Sequence, residues 1–216
     1  MTVSLVGGGE IGPDDLILAR ERSELLVAAD GGASAALRHG FMPDVVVGDM
    51  DSLAAKDRAR IDPARLMQID EQDSTDFAKA LGQIEAPLVL GVGFLGARLD
   101  HQLAVLNTLV ARPVPPCVLI GAHEVVFHAP PQIALTLQKG DIVSLFPFAP
   151  VTGRSTGLAW PIDGLNFAPN GFVGTSNRAE GPISLAFDMP GMIVCVPRAA
   201  LDTVIQSLTI AARWGA

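Results

Sequence analysis

The sequence predicts an α/β chain: an N-terminal three-layer domain built on a parallel sheet, followed by a C-terminal antiparallel β-sandwich. Three observations lead there. Up to residue 120, short apolar runs alternate with segments of helical periodicity, the pattern of strands joined by crossover helices. From about residue 121 to 197 no long helical period appears, and short β-rich runs are divided by Gly, Pro and Asn. Five polar clusters, most of them glycine-rich, each follow one of the first-half strand runs, at the strand ends where open α/β sheets bind their ligands.

The elements follow in order. Residues 2–6 read as a strand, then glycines, then a helix from about Pro13, a residue favoured at a helix start. Residues 25–29 read as a second strand, with Gly31-Gly32 leading into a short helix that ends near Gly40. Val45-Val46-Val47 is the third strand and residues 64–69 the fourth. A helix over 74–84, a strand over 88–90, a helix over 98–110 and a strand over 117–120 complete the first half. In the second half, strands are expected over 124–127, 133–137, 142–146, 156–160, 183–187 and 192–196. Leu201, Val204, Ile205 and Leu208 then share one face of a terminal helix. These runs imply an α/β domain over residues 1–122, a sandwich over 123–198 and a C-terminal helix over 199–216.

Composition narrows the function. With 216 residues and 49% hydrophobic content there is ample material for a core, built from aliphatic residues because Tyr is absent and aromatics are few. A net charge of -8 argues against a nucleic-acid surface, which needs a basic face. Cys117 and Cys195 lie in apolar runs without metal-ligand spacing and read as buried small hydrophobes. The N-terminus has no basic stretch of a signal peptide, and no apolar run approaches the ~20 residues that span a bilayer. The expectation is a cytoplasmic protein with no membrane and no nucleic-acid partner.

The polar clusters carry the chemistry. They are Gly7-Gly8-Gly9-Glu10-Ile11-Gly12, Asp30-Gly31-Gly32, Gly48-Asp49-Met50-Asp51-Ser52, Asp73-Ser74-Thr75-Asp76 and Gly96-Ala97-Arg98-Leu99-Asp100-His101. Asp49 and Asp51, two apart, would share a face in an extended strand, although turn-forming aspartates give the same pattern. With Asp76 and Asp100 on the same rim, the crowded carboxylates call for a cation, and oxygen ligands suit Mg²⁺ beside phosphates. Asp73 could cap the helix that follows, with Asp76 in its first turn. Lys79 could reach a phosphate or pair with Asp76, and Arg98 in its tight turn suits phosphate. His101 reads either as a proton carrier or as a hydrogen-bonding structural residue. A competing reading takes Gly7, Gly9 and Gly12 with Asp30 as a dinucleotide-binding fingerprint for a nicotinamide cofactor. Pro13 makes that turn atypical, and such a site has no need of three further acidic clusters.

Taken together, the runs Ala29-Asp30-Gly31-Gly32-Ala33, Gly48-Asp49-Met50-Asp51-Ser52, Gln72 to Leu81 and Gly96 to His101, with Gly157-Leu158-Ala159-Trp160-Pro161 and Thr175-Ser176-Asn177, resemble the thiamine pyrophosphokinases. The resemblance implies a Rossmann-like catalytic domain before a β-sandwich, a homodimer with active sites at its interface, and pyrophosphoryl transfer from ATP to thiamine with Mg²⁺. It places Asp49, Asp51, Asp76 and Asp100 around Mg²⁺ and the phosphates, with Gln72, Asp73, Lys79 and Arg98 lining the cleft. Asp30, Gly31 and Gly32 would shape the nucleotide pocket. Trp160, Ser176 and Asn177 would lie near thiamine: an indole face suits a flat cation, and Ser and Asn suit a pyrimidine edge. Trp160 reads equally as a sandwich-core aromatic. Either Asp100 or Asp76 could orient or deprotonate the alcohol. Ala97 stands where the family usually has a glycine, and the terminal helix extends past the usual last strand. A pyrophosphokinase for another heterocycle, such as a hydroxymethylpterin, would keep the metal site and change the acceptor pocket. A nucleotide- or thiamine-binding module without catalysis is the other class of reading, and pure binding would not require so many acidic clusters.

Overall fold

The computed structural model describes residues 1–71 and 73–215 and divides into two compact units. One unit comprises residues 1–108 and 119–122; the other comprises 109–118 and 123–216.

The elements of the first half are β1 (Val3–Val6), α1 (Asp15–Arg20), β2 (Leu25–Ala29), α2 (Gly32–Arg38), β3 (Val45–Gly48) and α3 (Ala55–Arg58). Then come β4 (Leu66–Gln68), α4 (Asp76–Gly82), β5 (Val89–Val92), α5 (Leu99–Ala111) and β6 (Cys117–Ile120). The sheet order is β4-β3-β2-β1-β5-β6. The pairs β4–β3, β3–β2, β2–β1 and β1–β5 are all parallel. The inner strands β1 and β5 are buried along their whole length, as strands covered on both faces must be, which is why they read as unbroken apolar runs. Under the sheet, α2 contributes Ala33, Ala35, Ala36 and Leu37 to a core with Val6, Leu26, Ala28, Val46 and Met50. The small alanines let this helix lie close to β1 and β2. The approach is closest at Gly32, where a Cβ would stand 2.1 Å from the Val6 carbonyl oxygen.

The second half contains β7 (Glu124–His128), β8 (Gln132–Leu135), β9 (Ile142–Pro147), β10 (Val151–Leu158), β11 (Asn166–Phe167), β12 (Gly174–Phe187), β13 (Met192–Pro197) and α6 (Leu201–Ile210). All its strand pairs are antiparallel. The 14-residue β12 joins two sheets: residues 174–178 pair with β9, and residues 183–187 pair with β8 and β10. Between them, Gly181-Pro182 turns the strand, with Gly181 at φ +144°. Strands β8 and β9 alternate buried and exposed residues, the mark of sheets with one face on a core. Helix α6 buries Leu201, Val204 and Leu208, and its hydroxyls engage β8: Ser207 Oγ donates to the Ala134 carbonyl at 2.6 Å, and Thr203 Oγ1 accepts from Thr136 N–H at 3.0 Å. Among the described residues no helix is long and apolar enough to cross a membrane.

Several elements differ from the sequence expectation. The strand expected over 156–160 is β10, ending at Leu158, so Trp160 stands beyond it. The strand expected over 183–187 is only the second half of β12, and Ser176 and Asn177 lie within its first half. Helix α4 starts at Asp76, and its N-cap is Thr75, whose hydroxyl accepts from Ala78 N–H at 3.2 Å; Asp73 does not cap it. The fourth run begins as a 3-10 turn, Pro63–Arg65, before β4.

One buried polar contact makes stability pH-dependent. His128, 9% exposed on β7, accepts a hydrogen bond at Nε2 from Gly191 N–H at 2.9 Å. Burial pushes its pKa down from 6.5 to about 4. The native state therefore binds this proton less readily than the unfolded chain. The contribution is complete above pH 6.5 and is lost as pH falls through that range toward 4, by about 3 kcal/mol at pH 4. Thermal unfolding followed from pH 7 to pH 4 should show a smaller loss in His128→Gln than in the wild type.

Candidate active site

The loops at the carboxyl ends of β1, β2, β3 and β5, together with the start of α4, surround a cavity of about 1000 Å³. Its walls include Gly7 to Gly9, Gly31, Asp49, Asp51, Asp76, Lys79, Gly93, Phe94 and Arg98. That position follows from topology, because parallel strands deliver all their outgoing loops to one edge.

Three carboxylates gather there. An oxygen of Asp30, of Asp49 and of Asp51 can all be chosen within 4.8 Å of one another. Asp30 follows β2 directly and is fully buried, with its backbone in the left-handed region at φ +41°. Its Oδ2 accepts from Ser52 N–H at 3.1 Å, while Oδ1 has no hydrogen-bond partner among the described residues. Burial is the main cause of its raised pKa, partly offset by Ser52 and increased by the neighbouring Asp51 and Asp49. Asp49 and Asp51 do not sit in extended backbone as expected. Met50 between them adopts φ +67° and sinks its side chain into the core at 5% exposure, so a pinned turn presents the two acids. Asp51 N–H donates to Asp49 Oδ1 at 3.3 Å, the largest influence holding the Asp49 carboxyl below its ordinary pKa.

Lys79 connects this group to α4. Its ammonium, 3% exposed, stands 3.3 Å from Asp49 Oδ2 and 3.8 Å from Asp76 Oδ1. Asp76 is half-buried, and burial raises its pKa, with Asp30 the next cause. Asp100 is placed differently. It lies outside the three-acid group, on the exposed first turn of α5, where Arg98 Nε and a terminal nitrogen both donate to its carboxylate. That fork holds the Asp100 pKa at about 2. Asp73 is exposed and does not line the cavity, and Gln72 lies outside the described residues. Gly31 lines the wall, and Gly32 is buried beneath it.

The glycines of the first loop serve a close crossing. Gly9 N–H donates to the Gly93 carbonyl at 2.9 Å, and Gly93 itself has φ +77°. The helix that follows begins only at Asp15 and is six residues long, so the dinucleotide fingerprint lacks the helix start on which a pyrophosphate would rest. His101 lines the cavity and is exposed.

In the second unit, Trp160 is 57% exposed, so it is no core aromatic. Asn177, 8% exposed, holds the turn that carries it: Oδ1 accepts from Trp160 N–H at 3.2 Å and Arg178 N–H at 2.8 Å, and Nδ2 donates to the Trp160 carbonyl at 2.7 Å. Ser176 is exposed at φ +62°, and its N–H donates to Ser144 Oγ at 3.0 Å. Replacing Asn177 with Ala leaves backbone groups of the Trp160 turn unpaired and should lower stability by about 1–3 kcal/mol. Urea unfolding of the variant measures that loss.

Sequence reasoning missed two features. Asp30 was assigned to the nucleotide pocket and not to the acid cluster; the pairing of β2 with β3, which sets Ala29 beside Val47, is the signal that would have joined it to Asp49. Arg38, Lys56 and Arg60, which also line the cavity, carry no motif.

Comparison with known proteins identifies the family. Residues 18–118 match the family model of the thiamin pyrophosphokinase catalytic domain, and residues 130–190 match that of the thiamin pyrophosphokinase vitamin B1 binding domain. Thiamine pyrophosphokinase 3 of Oryza sativa subsp. japonica is 26% identical, over 73% of this chain and 72% of its own. Thiamine pyrophosphokinase 1 of Arabidopsis thaliana is 29% identical, over 74% and 73%. The fold is shared with the thiamine pyrophosphokinase from Bacillus subtilis, at TM-score 0.72 and 22% identity over 91% of this chain and 98% of that one. The thiamin pyrophosphokinase from Candida albicans gives TM-score 0.76 at 17% identity over 91% and 89%. With both domain models matched in order and relatives aligned over nearly three quarters of its length, the chain belongs to the thiamin pyrophosphokinase family.

Proposed function

We propose that the protein transfers a pyrophosphoryl group from ATP to the primary alcohol of thiamine, giving thiamine diphosphate and AMP. The observation that carries this reading is the three-carboxylate group of Asp30, Asp49 and Asp51, in which Asp49 and Asp51 line the cavity and Asp30 lies buried close to them. These residues fit a hard divalent cation. They offer only oxygen donors, they lie close enough to share one ion, and the buried Asp30 Oδ1 has no other partner among the described residues. Asp30, Asp49 and Asp51 would hold Mg²⁺. The bound ion would supply charge neutralisation at the phosphate oxygens.

The alcohol oxygen of thiamine attacks the β-phosphorus of ATP. The bond from that phosphorus to the oxygen bridging the α- and β-phosphates breaks, and AMP departs with the bridging oxygen. The alcohol proton passes to a carboxylate, and Asp76 suits that role better than Asp100. Asp76 faces the cavity with a raised pKa, whereas Asp100 is engaged by Arg98 and is a weak base at about 2. Lys79 fixes Asp76 and Asp49 relative to one another. Trp160 would offer its exposed indole to the cationic thiamine heterocycle, on a turn set by Asn177. A homodimer with thiamine bound at the subunit interface accords with the large apolar side chains left exposed in the second unit, among them Trp160, Phe172 and Met189.

The test is turnover of purified protein with ATP, Mg²⁺ and either thiamine or a hydroxymethylpterin. The reading requires thiamine diphosphate from the first acceptor. Product from the pterin alone, or ATP left unconsumed with both, removes it.

A further inference from the structure

The cations that line the cavity are not equally available to a phosphate. Among the described residues they are Arg38, Lys56, Arg60, Lys79 and Arg98. Lys79 is buried between Asp49 and Asp76, and Arg98 is forked onto Asp100. Among the described residues Arg60 has one loose pair, at 3.7 Å, with the largely buried Asp57. Arg38 and Lys56 have no carboxylate partner among the described residues. In a chain of net charge -8, unpaired cations on one wall of a cavity leave that wall ready for an anion.

These residues share a location. Arg38 ends α2, the helix that follows Asp30, and Lys56 and Arg60 lie on and just after α3, the helix that follows Asp51. The two helices touch. One turn before Arg38 on α2, Ser34 also lines the cavity; it is 7% exposed and its hydroxyl has no hydrogen-bond partner among the described residues. The wall therefore combines unpaired positive charge with an unsatisfied buried donor.

We propose that Arg38, Lys56 and Arg60, with Ser34 behind them, form an anion arm that holds the γ-phosphate end of the donor triphosphate. This rests on the reading of ATP as donor and adds which residues take its tail. A nucleoside is uncharged and has no use for three cations, whereas the terminal phosphate carries the highest charge density of the chain. The terminal phosphate leaves with thiamine and is absent from AMP. An arm that grips it discriminates ATP from AMP and lets AMP depart after transfer.

Calorimetric titration of ATP, AMP and inorganic tripolyphosphate, with Mg²⁺ and without thiamine, tests the arm. The double variant R38Q/K56Q should lose about tenfold or more in affinity for ATP and tripolyphosphate. Its AMP affinity should change by less than about twofold, and R38K/K56R should recover most of the loss. Unchanged affinity for ATP and tripolyphosphate overturns the proposal, as does AMP weakened as much as ATP. Tripolyphosphate bound through Arg38 by a protein that fails to use ATP with thiamine would sink the donor assignment and still support the arm. Circular dichroism and thermal unfolding confirm that both variants fold.

Discussion

Asp76→Asn is expected to lower kcat by about 10²–10⁴-fold while leaving the KM for thiamine within a few-fold. The amide keeps the size and shape of the carboxyl at the start of α4, where Thr75 and not Asp76 caps the helix, so the fold should persist. What disappears is a half-buried proton acceptor beside Lys79. Asp100→Asn makes a contrast: removing a carboxylate from an exposed fork with Arg98 should cost far less turnover, because that group is already committed and weakly basic. Steady-state kinetics on the two variants, made in parallel, checks the assignment. Equal losses in both would remove Asp76 from its special place.

Gly32→Ala should cost the fold about 3 kcal/mol or more, enough to leave much of the chain unfolded at 37 °C. The added methyl would stand 2.1 Å from the Val6 carbonyl oxygen and 2.8 Å from its carbon, and neither side can yield easily. Val6 is held in the middle of the parallel sheet between β2 and β5, and α2 is buried along almost its whole length. The same contact sets the site, since moving α2 away from β1 would carry Gly31 and Asp30 with it. Gly40→Ala offers the control within the same region: nothing lies near its Cβ, and only the strain of φ +82° opposes the change, about 1 kcal/mol. Chemical denaturation of both variants measures the difference.

Much of the architecture was legible because it depends on local pattern. Residues 26–29 of β2 and Cys117–Ile120 are buried on both faces, so their apolar runs announce the strands. The convergence of loops at one edge follows from parallel pairing, a rule of topology that needs only the alternation of elements. The start of β12 was hidden for the opposite reason. Gly174, Thr175 and Ser176 are at least partly exposed, and the Gly181-Pro182 bend makes one long strand look like a loop before a short one. At the site, sequence order showed the acids but not their company. Whether Lys79 or Arg98 is available to a phosphate depends on where Asp49 and Asp100 point, which no spacing reveals. Met50 is the clearest case: it reads as an apolar interruption between two acids, yet its burial fixes the turn that presents them. Arg38 looks in sequence like the outer end of a short helix, and Lys56 and Arg60 fall in a stretch between two strand runs to which no element is assigned.

Titration of Mn²⁺, followed by electron paramagnetic resonance, into the protein with a non-hydrolysable ATP analogue tests the central claim most directly. Mn²⁺ accepts the same oxygen ligands as Mg²⁺ and reports its own coordination. If Asp30, Asp49 and Asp51 grip the metal–triphosphate together, the wild type binds one ion in the ternary complex and Asp51→Asn weakens it about tenfold or more. Wild-type affinity retained in Asp51→Asn, and in Asp49→Asn beside it, would contradict the account.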